Sequence, residues 1–137
     1  MIDDRYILKA KMKNRSDKWI DGAYIEHHDT THCMKEPTEN EIHHLIIVEI
    51  MTDWELQNKM IPYEIDVNTL CQCTGMKDKN KRRLFEHDIV LFRGKKGIIR
   101  FDQTNMRYDI TFGGNGRDIP LSSYYETEIE IVGNEYD

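Results

Sequence analysis

The clearest hydrophobic pattern lies in the second half of the chain, where short β-rich runs recur about every ten residues between turn residues. In the run RYDITF at 107–112, Tyr108, Ile110 and Phe112 alternate with polar residues, which is the period of a half-buried strand. Turn residues separate the runs at 93–97, 103–106 and 113–116. The pattern predicts a small barrel or sandwich with strands at 88–92, 97–101, 107–112 and 128–132.

The first half of the chain carries a weaker pattern. The β-rich residues 7–12 and 18–26 flank a polar turn, which predicts a hairpin. A long polar connection follows at 27–41, with a short helical turn expected after Pro37. The isoleucine-rich residues 42–51 predict a well-buried strand. Thr52 and Glu55 have the spacing of a capping box, which predicts a short helix over 52–60.

Length and composition place the chain among globular proteins. It has 137 residues, of which 39% are hydrophobic and 32% charged, and this length is enough to bury a core without disulfides. The longest apolar run, at 45–48, is too short to cross a bilayer, and the acidic N-terminus does not have the charge pattern of a signal peptide. These features predict a cytoplasmic protein whose three cysteines stay reduced.

Positive charge is concentrated in one region although the net charge is −6. Residues 77–96 contain eight basic and three acidic side chains, a local charge of +5. Lysine and arginine clusters bind phosphate backbones by releasing counterions, and Phe85 and Phe92 lie nearby in sequence. The alternative interpretation is a solvated turn between two strands. The candidate nucleic-acid-binding residues, in the turns at 77–83 and 93–96, are Lys77, Lys79, Lys81, Arg82, Arg83, Arg93, Lys95 and Lys96.

Histidine and cysteine residues raise the question of a metal site. Imidazole and thiolate are preferred zinc ligands, but Cys71 and Cys73 form a C-x-C pair on one face of an extended strand, whereas zinc knuckles take C-x₂₋₄-C pairs from a turn. We therefore predict no metal and no other cofactor. The other residues considered are His27, His28, His32, Cys33, His43 and His44.

Catalysis is also not predicted. A cysteine with a histidine, or Asp88 with Glu86, has suitable chemistry, but such pairs occur by chance in a chain this charged. The sequence contains no nucleophile elbow, Walker loop or dinucleotide fingerprint. The protein is therefore predicted not to be an enzyme.

Three segments carry a family resemblance: CTGMKDKNKRRLFEHDIV at 73–90, GIIRFD at 97–102 and EIEIVGNEYD at 128–137. In this order they resemble the YopX family of phage and prophage proteins, and residues 7–22 resemble that family's opening hairpin. The motifs TG-x-KDKN, D-I-V and I-V-G-N occur at about the family's spacing. The resemblance implies an SH3-like barrel in the C-terminal half, self-association and a phage origin, and it implies no activity.

The chain differs from the family pattern at two positions. Lys81 replaces a glycine after KDKN, and His87 replaces a glycine before D-I-V. If those glycines provide a positive φ, we expect Asn80 to take over this role in the first turn, because asparagine adopts the left-handed conformation more readily than other non-glycine residues. The geometry of the turn at His87 is left open.

Together, these observations predict a mainly β protein with an N-terminal hairpin-containing segment at 1–69 and an SH3-like barrel domain at 70–137. The predicted function is a noncatalytic, oligomeric protein-interaction module in the host cytoplasm, with no membrane partner. Identical strand edges would pair between copies. Nucleic-acid binding through the basic turns is the alternative, and a phage or host protein is a further candidate partner. The predicted interface residues are Trp19, Trp54, Tyr124 and Tyr125.

Overall fold

The computed structural model describes residues 4–29, 34–52, 54, 56–114 and 116–137. Within these ranges the chain forms eleven β-strands and four short 3₁₀ helices, so the prediction of a mainly β protein is confirmed. The chain divides into two units. The N-terminal unit is Ile7–Leu70, and the C-terminal unit is Cys71–Asp137 together with the 3₁₀ helix Asp4–Tyr6.

The N-terminal unit is an antiparallel sheet in the order β4-β3-β2-β1. Its inner face packs around Ala10, Ile46 and Ile65. An antiparallel bridge between Met12 and Ile65 brings the chain after β4 back to the end of β1. The sheet is therefore curled around a small core. Its strands are β1 Leu8–Met12, β2 Arg15–His28, β3 Ile42–Ile50 and β4 Lys59–Glu64.

The C-terminal unit contains a β5–β6 hairpin and a five-stranded antiparallel sheet in the order β10-β9-β8-β7-β11. Its strands are β5 Cys71–Lys77, β6 Arg83–Phe85, β7 Asp88–Phe92, β8 Lys95–Asp102, β9 Arg107–Phe112, β10 Ile119–Pro120 and β11 Ile129–Asn134. Apolar side chains from both parts form one core, in which the buried residues are Leu84, Val90, Phe92, Ile99, Ile110 and Ile129.

The predicted SH3-like barrel is not confirmed. In the described part of the chain the five-stranded sheet is open, because β10 pairs with β9 on one side and β11 with β7 on the other. β10, which has two residues, is the edge strand on one side, and β11 is the edge strand on the other. The four strands predicted from alternation are nevertheless confirmed, and β7 and β9 have the predicted bounds. The pattern missed β4, β6 and β10.

The short helix predicted over 52–60 is not formed by the described residues of that segment. β4 begins at Lys59, and the Thr52 hydroxyl donates to the carbonyl of Gln57 at 3.4 Å. Glu55, the other half of the predicted capping box, lies outside the described residues. The helical turn expected after Pro37 is confirmed as the 3₁₀ helix Glu39–Glu41.

β3 is less buried than predicted. Of its nine residues, Ile46 is fully buried and most of the others are half-buried. The reason is that a strand presents alternate residues to opposite faces, and the core of this unit covers one face.

Candidate functional site

The first basic turn, KDKN, is organised around Asp78, which is fully buried. The N–H groups of Asn80 and Arg82 both donate to Asp78 Oδ1 at 2.9 Å. The N–H of Ile131 donates to Oδ2 at 3.2 Å, and Arg82 Nη2 donates to the same oxygen at 3.1 Å. Asp78 therefore fixes the shape of the turn and attaches it to β11.

These donors also decide the ionisation of Asp78. Burial by itself would raise the pKa of the carboxyl, but the three N–H donors and the Arg82 charge outweigh it and hold the pKa below its ordinary value. The carboxylate is thus kept charged by the turn that it stabilises. This part of the motif has a structural role.

Half of the predicted nucleic-acid-binding residues are already paired with carboxylates. The four pairs are Lys79 with Glu130 at 2.8 Å, Arg82 with Asp78 at 3.1 Å, Arg83 with Asp4 at 3.3 Å and Arg93 with Glu128 at 3.1 Å. The other four, Lys77, Lys81, Lys95 and Lys96, are exposed. Within the described residues, none of these four has a carboxylate within 4 Å. The pairing lowers the effective charge of the first turn more than that of the second.

Both positions that differ from the family's glycines have positive φ. Lys81 has φ 62° and His87 has φ 70°, and Asn80 is not among the positive-φ residues. The expectation that Asn80 takes over this role is therefore wrong. The Lys81 N–H donates to the Asp78 carbonyl at 2.9 Å, which places the left-handed residue at Lys81 itself. The His87 N–H donates to the Ile99 carbonyl at 2.8 Å.

A second candidate surface is the side of the N-terminal sheet opposite its core. Strand register places Ala23, Ile47 and Pro62 in one row across β2, β3 and β4, and Ile25, Leu45 and Glu64 in the next row. Ala23, Ile25 and Pro62 are exposed, and Leu45 and Ile47 are half-buried. We call these five residues the outer face. It was not predicted, although the unbroken apolar run at 45–48 is a signal that β3 is apolar on both sides.

Charged residues border the outer face. Lys9 lies opposite Asp21 in the register of β1 and β2, and Glu49 lies opposite Met60 in the register of β3 and β4. The Lys9 ammonium lies 4.8 Å from the centroid of the Trp19 ring, within the range of a cation–π contact. The border therefore carries both a lysine and an aspartate on the β1 side, and a glutamate on the side toward β4.

At one end of the outer face, His43 is held between two carboxylates. Its Nδ1 lies 2.6 Å from Glu64 Oε1, and its Nε2 lies 2.9 Å from Asp29 Oδ1. The hydrogen bond to Glu64, followed by that to Asp29, raises the pKa of His43 above its ordinary value although burial opposes this. The same bond to His43 lowers the pKa of Glu64. The arrangement stabilises an imidazolium.

The predicted interface aromatics are divided between the two units. Trp19 is half-buried beside the outer face, and Trp54, in the β3–β4 connection, is 84% exposed. Tyr124 is also 84% exposed. Tyr125 packs its edge against Phe92 with centroids 5.3 Å apart, so it contributes to the core of its own unit.

The cysteine and histidine residues considered for metal binding are divided between the two units, with His27, His28, His43 and His44 on β2 and β3 of the N-terminal unit. Cys71 and Cys73 are both buried in β5, as expected for residues on one face of a strand. Within the described ranges no group of three or more His, Cys, Asp or Glu side chains is placed to hold a metal ion, and His32 and Cys33 lie outside those ranges. In the same part of the chain, no helix is long and apolar enough to cross a membrane.

These features define a small, mainly β protein of two antiparallel units, in which the buried carboxylate of Asp78 organises the KDKN turn. The family model described as YopX protein matches residues 10–137. The chain therefore belongs to the YopX family. No curated protein matches it.

Proposed function

We propose that the protein is a noncatalytic interaction module that self-associates through the outer face. The observation that carries the proposal is the pair of apolar rows exposed on the side of the sheet away from the core. Ile25, at the β2 end of the second row, is 42% exposed. Burying such surface contributes roughly 25 cal/mol per Å². A phage or prophage setting, as the resemblance implies, is part of this proposal.

Face-to-face packing is favoured over pairing of strand edges. β4 is an edge strand of the described sheet, and it contains Pro62. Proline has no N–H, and in a sheet it is tolerated where the missing donor faces the open edge. A second copy of β4 would therefore meet a gap in the ladder at Pro62.

The apolar rows favour a second copy as the occupant. In a two-fold arrangement with the axis parallel to the strands and between β2 and β3, Ile25 of each copy faces Leu45 of the other. The apolar residues of the two copies then cover one another, so the face is self-complementary in apolarity.

Light scattering across a range of concentrations tests the apolar contact. We expect the wild type to approach the mass of two chains, and Ile25→Glu to remain at the mass of one. Val132→Glu is the matched control, because Val132 is a 48% exposed aliphatic residue of the C-terminal unit. A wild type that stays monomeric at the highest concentration, or equal effects of the two variants, would refute the proposal.

Nucleic-acid binding through both basic turns is the weaker candidate. In the first turn, Lys79, Arg82 and Arg83 are paired with carboxylates, and a phosphate would have to displace those partners. Salt-sensitive DNA or RNA retention that disappears in Lys79→Glu/Arg82→Glu/Arg83→Glu would restore this candidate. Asp78→Asn is not a suitable control, because Asp78 holds the turn together.

A further inference from the structure

A cavity of about 410 Å³ lies beside the turn that joins β7 to β8, within the C-terminal unit. Its floor is apolar and is formed by the half-buried side chains of Phe112 and Ile119. The buried ring of Phe92 lies beside Phe112, with the two ring centroids 6.5 Å apart. Its rim is cationic and contains Arg93, Lys95 and Arg117. Arg93 and Lys95 belong to the predicted basic turn, whereas Arg117 comes from the connection after β9.

Two glycines leave the space that the Phe112 ring occupies. Phe112 lies opposite Gly97 in the β8–β9 ladder, and a Cβ at Gly97 would be 2.5 Å from Ile110 Cγ2 and 3.1 Å from Phe112 Cε1. A Cβ at Gly116 would be 2.7 Å from the Cβ of Phe112. Side chains at either position would displace the ring or its neighbours. The backbone thus leaves the Phe112 ring half-buried and able to line the cavity.

The cations on the rim differ in how far they are neutralised. The Arg93 guanidinium lies 4.9 Å from the Phe92 centroid and forms two hydrogen bonds with Glu128, at 3.1 and 3.2 Å. Its charge is therefore partly balanced and its position fixed. Lys95 and Arg117 are exposed, and neither has a carboxylate within 4 Å in the described part of the chain. These two side chains are the ones able to accept an anion.

We infer that this cavity binds a nucleoside phosphate. The accessible Phe112 ring stacks a planar base, since every base has a π-face, and lysine and arginine side chains bind phosphate through charge-assisted hydrogen bonds. The volume lies within the roughly 300–1,000 Å³ range of small-molecule sites. The nucleoside phosphate is either a free nucleotide or one nucleotide of a single strand. The inference is independent of self-association, because no residue of the outer face lines the cavity.

The inference is tested by titrating the full chain with four compounds: AMP, adenosine, inorganic phosphate and a single-stranded DNA decamer. Binding is measured from the NMR chemical shifts of the Phe92 and Phe112 rings. We expect AMP or the decamer to bind at least about tenfold more tightly than adenosine or phosphate, because only they supply both base and phosphate. Lys95→Glu and Arg117→Glu should each weaken this binding by about tenfold or more. The matched controls are Lys77→Glu and Lys81→Glu, which reverse exposed lysines of the first turn and should leave it unchanged.

The arms of the experiment also separate the two sources. Tight binding of the decamer with much weaker binding of AMP identifies a single strand as the ligand, and equal affinities per site identify the free nucleotide. The inference is overturned if neither ligand shifts the two rings at low salt, if inorganic phosphate binds as tightly as AMP, or if the control variants lose as much affinity as the rim variants. The substituted side chains are exposed, so folding is not expected to confuse the result.

Discussion

Asn134 Nδ2 donates a hydrogen bond to Asp88 Oδ1 at 2.9 Å, and both side chains are buried. Asp88 Oδ2 accepts the N–H of Phe85 at 2.9 Å, and Asn134 Oδ1 accepts the N–H of Tyr136 at 2.9 Å. Asp88 belongs to the D-I-V motif and Asn134, 46 residues later, to the I-V-G-N motif. The two motifs therefore meet in one buried polar cluster. Together with the bond from Ile131 to Asp78, this contact attaches β11 to the rest of its unit.

Asn134→Asp is expected to destabilise the protein by about 3 kcal/mol or more, because it places a second carboxylate against Asp88 inside the core. The measurement is the free energy of unfolding in urea. Asn105→Asp is the matched control, since Asn105 Nδ2 donates to Asp102 Oδ2 at 2.7 Å on an exposed turn, and it should cost less than about 1 kcal/mol.

The exchange Asp88→Asn/Asn134→Asp restores one amide and one carboxylate to the cluster. We expect it to recover at least half of the stability lost in Asn134→Asp, as a double-mutant cycle would show. If Asn134→Asp and Asn105→Asp lower the free energy of unfolding equally, the buried Asn134–Asp88 contact stabilises the protein no more than the exposed contact does.

Lys81→Gly is expected to stabilise the protein by about 0.5–1 kcal/mol. A left-handed conformation costs a side-chain-bearing residue about 1–2 kcal/mol, and part of this gain is offset by the greater flexibility of glycine in the unfolded chain. Lys77→Gly, in the extended conformation of β5, should instead destabilise by roughly 1 kcal/mol. Urea unfolding of both variants distinguishes the two effects, and a less stable Lys81→Gly protein would contradict the prediction.

The imidazole of His43 is expected to titrate above its ordinary pKa of about 6.5, because Glu64 and Asp29 bind its charged form. Since this pKa is raised on folding, its contribution to stability is fully present below about pH 6.5 and is lost as pH rises through the folded-state pKa. NMR titration of the ring measures the shift directly. Glu64→Gln should move the midpoint down, and a midpoint unchanged by this substitution would show that the contact is not formed.

Tyr108 is expected to resist ionisation, because burial, with a smaller effect of Glu86 and Cys73, raises the pKa of Tyr108 to about 12. The neutral phenol is favoured in the folded state, so the contribution of Tyr108 to stability is constant below about pH 10 and falls as pH rises from there toward 12. Burial also raises the pKa values of Tyr24 and Tyr136, so phenolate absorbance should show several late-titrating tyrosines, one fewer in Tyr108→Phe. Unfolding of Tyr108→Phe should be less sensitive to pH in that window, and equal sensitivity of both proteins would contradict the assignment.

The sequence by itself determined the elements whose signal is local. Alternation of apolar and polar residues located β7 and β9 with the bounds that the structure has, because period-two burial depends on one face of one strand. The motif order also identified the family, which the match over residues 10–137 shows. The comparison with the family motif also singled out Lys81 and His87 as residues that replace glycines, and both have positive φ.

The tertiary structure decided which side chains meet. β4 and β10 escaped the pattern because their pairing, rather than their own sequence, defines them as strands. Local composition could not show that Asp78 is buried against β11, or that Arg117 joins Lys95 around an aromatic floor, since those partners are more than twenty residues apart. The outer face likewise exists only once register aligns three strands. Charge and periodicity are properties of a segment, whereas a site is a property of segments brought together by folding.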